Sequence, residues 1–142
     1  MGMKKLKIVL DTNIWISQLF GGSVKLNFYK IISSDKIEIF TSSELRNEIF
    51  DVVKRPKIKN ILKSNKAKDL EILLNKRTKI VEPTIITDAC RAPKDNFLLS
   101  LCHGTDADCL ITGDSDLLVL KLFGKTKIIS LSDFMETYNK QL

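Results

Sequence analysis

The sequence predicts an α/β protein built on a mostly parallel sheet. Short apolar runs alternate with amphipathic segments along the whole chain, the pattern of strands separated by helices. Those runs are rich in Val and Ile and do not alternate cleanly, as expected of strands covered on both faces. The chain of 142 residues, 44% hydrophobic and 28% charged, fits one domain with a sizeable core, residues 1–142. That composition excludes disorder and fibrous repeats.

Each element has its own signal. Residues 7–10 form an apolar run ended by the polar Asp11-Thr12-Asn13, which reads as the first strand. A short helix follows over 13–20, broken by Gly21-Gly22. Phe28, Ile31 and Ile32 recur at helical spacing in a helix over 26–33. The second strand is 37–40. Thr41, Ser42 and Ser43 then offer caps to a helix reaching Lys54, with Leu45, Ile49, Val52 and Val53 as its apolar stripe. Pro56 stops or restarts that helix. Leu70, Leu73 and Leu74 mark a helix over 67–77, and Pro83 closes a third strand over 79–82. A helix over 96–102, a strand over 109–112, a helix over 116–122, a fifth strand over 127–130 and a closing helix over 131–139 complete the chain.

Several functional classes drop out early. No apolar run reaches the roughly 20 residues of a membrane span. Lys4, Lys5 and Lys7 lead directly into the first strand, leaving no signal-peptide core. Met1-Gly2 ahead of Met3 reads as a cloning addition, and Leu6 stands where myristoylation wants Ser or Thr. Cys90, Cys102 and Cys109 are odd in number and lack C-x-x-C spacing, which points to a reducing, cytoplasmic compartment. With only His103 beside them they read as small core residues rather than a zinc site. The 23 Lys and Arg against 17 Asp and Glu leave +6, a balance that suits a polyanionic partner such as nucleic acid.

The acids carry the chemistry. In an open sheet of this kind, ligands bind beyond the carboxyl ends of the strands. Asp11 follows the first strand there. Asp114 and Asp116 follow the fourth, after a turn at Gly113, and Asp95 opens the helix that leads back to the sheet. Each alone reads equally well as a helix N-cap; if Asp116 or Ser115 caps, Asp114 has no structural duty. Glu48 lies inside a helix at the border of the apolar stripe, so it is either a half-desolvated carboxylate or a solvated flank. Together, four or five carboxylates converge on one sheet edge. Such crowding is sensible mainly if a divalent cation neutralises them, and an all-oxygen set suits Mg²⁺ or Mn²⁺. Metal and carboxylates in a basic protein suggest phosphodiester hydrolysis.

At this point the residues resemble a PIN-domain ribonuclease. The marks are Val9-Leu10-Asp11-Thr12-Asn13, then residues 42–48 with Glu44 and Glu48, then Cys90-Arg91-Ala92-Pro93-Lys94-Asp95-Asn96, then residues 111–118 with Thr112, Asp114 and Asp116. Their order and spacing cover essentially the whole chain and most resemble the toxin branch of toxin–antitoxin systems. The resemblance implies a three-layer α/β/α sandwich with a five-stranded parallel sheet in the order 3-2-1-4-5. It implies an Mg²⁺- or Mn²⁺-dependent endoribonuclease leaving 5′-phosphate and 3′-hydroxyl ends, a homodimer, and a cognate antitoxin. Its acidic positions match Asp11, Glu48, Asp95, Asp114 and, less constantly, Asp116. Thr12, Asn13 and Thr112 match its supporting positions. Two departures stand out: where this branch carries an acid-rich Arg-Asp-Pro-Asp-Asp-Asn segment, Ala92 and Lys94 replace carboxylates. Glu44 also lies one turn from Glu48 on nearly the same face.

The expected mechanism assigns Asp11, Asp95, Asp114 and Asp116 to the metal and Glu48 to the attacking water. Lys54, Arg55, Lys57 and Lys59 open a fifteen-residue stretch, 54–68, with seven cations and no acid; it reads as an RNA-binding track or as a solvated surface. Trp15 reads as core in preference to a base-stacking platform. The main rival is a degenerate PIN domain that binds RNA or protein without cleaving, which the Ala92 and Lys94 departures favour. A receiver-like or phosphatase domain lacks its own motif after the first strand.

Overall fold

The computed structural model describes residues 4–62, 65–84 and 95–142. Lys63, the segment carrying Cys90, Ala92 and Lys94, and the Met1-Gly2 start lie outside those residues, so the expectations placed on them are not addressed structurally.

The first strand, β1 (Leu6–Leu10), sits at the centre of the sheet. Ile8, Val9 and Leu10 are consecutive and all fully buried. Successive strand residues point to opposite faces, so both faces of β1 are covered. Parallel to it on one side run β2 (Ile37–Thr41) and then β3 (Thr78–Ile80). On the other side run β4 (Cys109–Ile111) and β6 (Thr126–Ile129), also parallel.

The sheet differs from expectation at this edge. It has six strands, in the order β3-β2-β1-β4-β6-β5, and β5 (Leu122–Phe123) is antiparallel to β6. The helix expected over 116–122 shrinks to α7 (Ser115–Leu118). Lys121 adopts a left-handed φ of 62° and ends the helical path. Phe123 then pairs with Thr126 across Gly124-Lys125, and of these two only Gly124 is left-handed, at φ 59°. That is the pattern of a two-residue II′ hairpin, which places Gly first. The third strand also begins one residue early and stops at Ile80; one further bond, from the Val81 amide to the Thr41 carbonyl at 2.8 Å, extends its pairing.

The helices match their signals more closely. They are α1 (Thr12–Ser17), followed by a 3-10 turn (Gln18–Phe20), α2 (Gly22–Ile32), α3 (Ser43–Lys54), α4 (Pro56–Ile61), α5 (Lys66–Arg77), α6 (Asn96–Thr105) and α8 (Leu131–Tyr138). Ser42 caps α3 by accepting from the Leu45 amide, and Ser130 caps α8 by accepting from the Asp133 amide. Pro56 sits in the first turn of α4, where its missing N–H costs nothing, so it restarts the chain as a new helix. Trp15 is fully buried, meets Phe28 edge-on at 5.2 Å and donates its indole N–H to the Leu10 carbonyl at 3.0 Å. It is core, as its apolar area demands. Cys102 and Cys109 are buried free thiols, and burial pushes both up from the usual thiol value. His103 is exposed near the end of α6. Among the described residues, no helix is long and apolar enough to cross a membrane.

Candidate active site

Parallel pairing puts the carboxyl ends of β1, β2, β4 and β6 along one edge. Asp11 leaves β1 there, with its amide donating to the Ile111 carbonyl at 3.0 Å. Its backbone takes the N-cap position of α1, but its side chain makes no capping bond. The carboxylate instead accepts from the Thr112 hydroxyl, at 2.6 Å to Oδ2. Thr112 is itself fully buried, and its Oγ1 accepts from the Asp114 amide at 3.0 Å. One hydroxyl thus fixes the end of β1 against the turn after β4.

Asp11 is only 5% exposed, and this burial raises its pKa from the ordinary carboxylate value. The Thr112 hydroxyl and the Thr12 backbone amide oppose the rise, while the charges of Glu48 and Asp114 add to it.

Asp114 caps α7, with Oδ1 accepting from the Asp116 amide at 2.9 Å. The expectation that Asp116 or Ser115 caps in its place is therefore corrected. Asp114 has a structural role, and its side chain still faces the acidic edge. Gly113 is not left-handed, and a Cβ there would meet nothing within 4 Å. The turn does not require glycine; the Asp114 cap and the Thr112 hydroxyl shape it.

Asp95 begins α6 from a helical backbone conformation, without a capping bond from its side chain. It is buried, whereas Asp114 and Asp116 are half-buried. Each of the three offers a carboxylate oxygen, and these oxygens all lie within 4.8 Å of one another. Asp11 adjoins this group through Thr112 and is not one of the three. Glu48, on α3, accepts from the Thr12 hydroxyl at 2.6 Å. Glu44, one turn earlier, is exposed, so the carboxylate beside Asp11 is Glu48. Asn13 is exposed and makes no side-chain hydrogen bond among the described residues.

The cations stand apart from the acids. Lys54, Arg55, Lys57 and Lys59 are exposed, and α4 contains no buried residue. Lys54 follows Glu48 by six positions on α3, roughly 9 Å along the axis. Among the described residues these four make no ion pair.

Sequence reasoning missed Glu82. Its Oε1 accepts from both the amide and the hydroxyl of Ser43, at 2.8 and 2.6 Å, and those bonds lower its pKa. The partners are 39 positions apart, and no local pattern announces them. Beside this contact is a groove of about 320 Å³ between the starts of α3 and α6. A larger cavity of about 600 Å³ lies at the opposite edge of the sheet, where Lys4, Lys5, Lys36 and Lys140 line it. It contains none of the clustered acids, and size alone assigns it no chemistry.

Comparison with known proteins bears on this arrangement. The PIN domain family model matches residues 7–116. The uncharacterized protein MJ1680 of Methanocaldococcus jannaschii is 29% identical over 147 aligned positions, spanning 96% of this chain and 94% of that one. Among solved structures, VapBC2 from Rickettsia felis, bound to a DNA fragment from its promoter, matches with a TM-score of 0.56. That match covers 87% of this chain and 97% of the other at 16% identity, a likeness of fold.

Proposed function

The chain belongs to the PIN domain family, and on that premise we infer that it is a divalent-metal-dependent endoribonuclease, the toxin of a toxin–antitoxin pair. The observation that carries this reading is the convergence of Asp95, Asp114 and Asp116, with oxygens within 4.8 Å of one another, beside the desolvated Asp11. The donor set is all oxygen, which fits Mg²⁺ or Mn²⁺ and not a soft metal. The raised pKa of Asp11 supports the same fit, because crowded buried carboxylates favour an added positive charge.

Asp95, Asp114, Asp116 and Asp11 would hold the ion. When bound, it supplies charge that polarises a phosphodiester and acidifies water. The chain's own residues do the positioning. Thr112 fixes the Asp11 carboxylate and the Asp114 backbone together. Thr12 fixes one oxygen of Glu48, which orients the attacking water or takes its proton. Lys54, Arg55, Lys57 and Lys59 attract the phosphate backbone outside the acidic pocket. Placing five of the 17 acids in the site leaves 23 cations against 12 acids, so the rest of the body is strongly basic toward RNA. A cognate antitoxin and a second copy of the chain are the protein partners of this reading, in a cytoplasmic setting.

The test is cleavage of a structured RNA by purified protein with Mn²⁺, against an Asp11→Asn control. Cleavage lost in the variant supports the reading. Equal cleavage by both proteins identifies a contaminant and overturns it. Mn²⁺ binding by calorimetry without any cleavage overturns the nuclease reading in favour of a binding module.

A further inference from the structure

The cavity at the amino-terminal edge of the sheet is assembled from segments far apart in sequence. Lys4 and Lys5 lead into β1, Lys36 leads into β2, and Lys140 lies in the 3-10 turn Asn139–Gln141 after α8. Parallel pairing draws the strand leads together: the Leu6 amide donates to the Lys36 carbonyl at 2.9 Å. The Lys7 amide donates to Asp108 Oδ2 at 2.8 Å, which holds the lead into β4 at the same edge. The backbone around Lys5 and Lys36 is therefore fixed, while all four lysines are exposed to an incoming ligand.

Charge decides what the cavity accepts. Its lining carries the four lysines and two acids, Asp35 and Asp108. Asp108 is already offset, because Lys125 pairs with its Oδ1 at 3.7 Å and the Lys7 amide occupies Oδ2. Four lysines against Asp35 alone leave +3. Residues 1–3, just before Lys4, contain no acidic side chain. Cations gathered around one recess repel one another, and an anion with several charges relieves that repulsion. Lysine offers donors only and acts as a point charge, which suits phosphate oxygens. A volume of about 600 Å³ is in the range of small-ligand sites. The five residues of β1 set this edge roughly 16 Å from the acidic one, so an anion held here does not touch the carboxylates.

We propose that this cavity is a second binding site, for a small oligophosphate: the linked phosphates of a nucleoside triphosphate or of inorganic triphosphate. Lys4, Lys5, Lys36 and Lys140 hold the phosphate oxygens, and the Gln141 amide adds an uncharged donor. The lysines close on a recess and do not follow a track, which favours a compact anion over a nucleic-acid strand. The site stands independently of the nuclease reading.

The experiment is calorimetric titration of the full-length chain, in metal-free buffer, with inorganic triphosphate, ATP, inorganic phosphate, citrate and adenosine. Triphosphate binds at least roughly tenfold more tightly than phosphate, through its additional charge-assisted bonds, and adenosine does not bind. Lys36→Gln combined with Lys140→Gln weakens triphosphate at least roughly tenfold. Lys25→Gln combined with Lys76→Gln removes the same charge outside the lining and leaves the affinity within about twofold. ATP binding no tighter than triphosphate assigns the site to the phosphate chain alone, and tighter ATP assigns it to a nucleoside triphosphate. Absent triphosphate binding at millimolar concentration, citrate as tight as triphosphate, or equal weakening in both double variants overturns the site. So does a single-stranded RNA that needs Lys36 and Lys140 in a protein indifferent to triphosphate, which gives the lysines to nucleic acid. None of these outcomes bears on RNA cleavage, which the Asp11→Asn comparison judges separately.

Discussion

The hydroxyl of Thr12 donates to Glu48 Oε1 at 2.6 Å, tying the first residue of α1 to the middle of α3. Both elements start at the carboxyl edge of the sheet, and this bond sets which carboxylate of α3 turns inward. Thr12→Val keeps the shape and removes the donor. A hydrogen bond to a charged group contributes about 1.5–3 kcal/mol net. If it serves only to orient Glu48, kcat for RNA cleavage falls at least roughly tenfold while KM changes little. An unchanged kcat separates Glu48 from the reaction.

Asp11 gives a pH signature without any substrate. Its folded-state pKa is raised, so the folded chain holds its proton more tightly than the unfolded chain does. The stability it contributes is fully present below the unfolded pKa, about 3.9, and is lost as pH rises through the folded value. Asp11→Asn removes that loss. In EDTA the variant melts higher than the wild type at pH 7, and the gap closes toward pH 4. Thermal melts across this range decide it; a variant less stable at every pH contradicts the burial argument.

Divalent ions act on the same balance from the other side. An ion held by Asp95, Asp114 and Asp116 stabilises the folded chain by about 2.7 kcal/mol at a hundred times its Kd. Mn²⁺ therefore raises the melting temperature, EDTA reverses the rise, and Asp95→Asn removes most of it. Equal Mn²⁺ shifts in wild type and variant place the ion elsewhere.

The basic segment predicts a salt effect. Four phosphate contacts from Lys54, Arg55, Lys57 and Lys59 contribute a slope of about −0.7 each to log K against log salt on single-stranded RNA. Replacing all four by Gln in the Asp11→Asn background flattens the measured slope by roughly 3. An unchanged slope makes the stretch a solvated surface.

Much of this was legible in the chain itself. The central strands announce themselves as buried apolar runs, and Asp11, Asp95, Asp114 and Asp116 follow from their places at strand ends and helix starts. Glu48 and Glu44 could not be separated by helical periodicity, since four positions bring both to nearly one face; the decision rests with Thr12, on another element. The β5–β6 hairpin was missed because β5 has two residues and Leu117, Leu118 and Leu122 mimic a helical stripe. Glu82 needed tertiary structure, since nothing near it in sequence hints at Ser43.

The Thr112–Asp11 bond spans 101 positions, and that separation has a temporal consequence. Closing so long a loop carries an entropic cost, and non-local pairings of this kind slow folding. A chain that has been synthesised only through α5 possesses Asp11 and Glu48 but neither Thr112 nor the three clustered aspartates. The acidic site is thus among the last things the polypeptide completes, and no growing chain holds the assembled carboxylates until β4 docks beside β1.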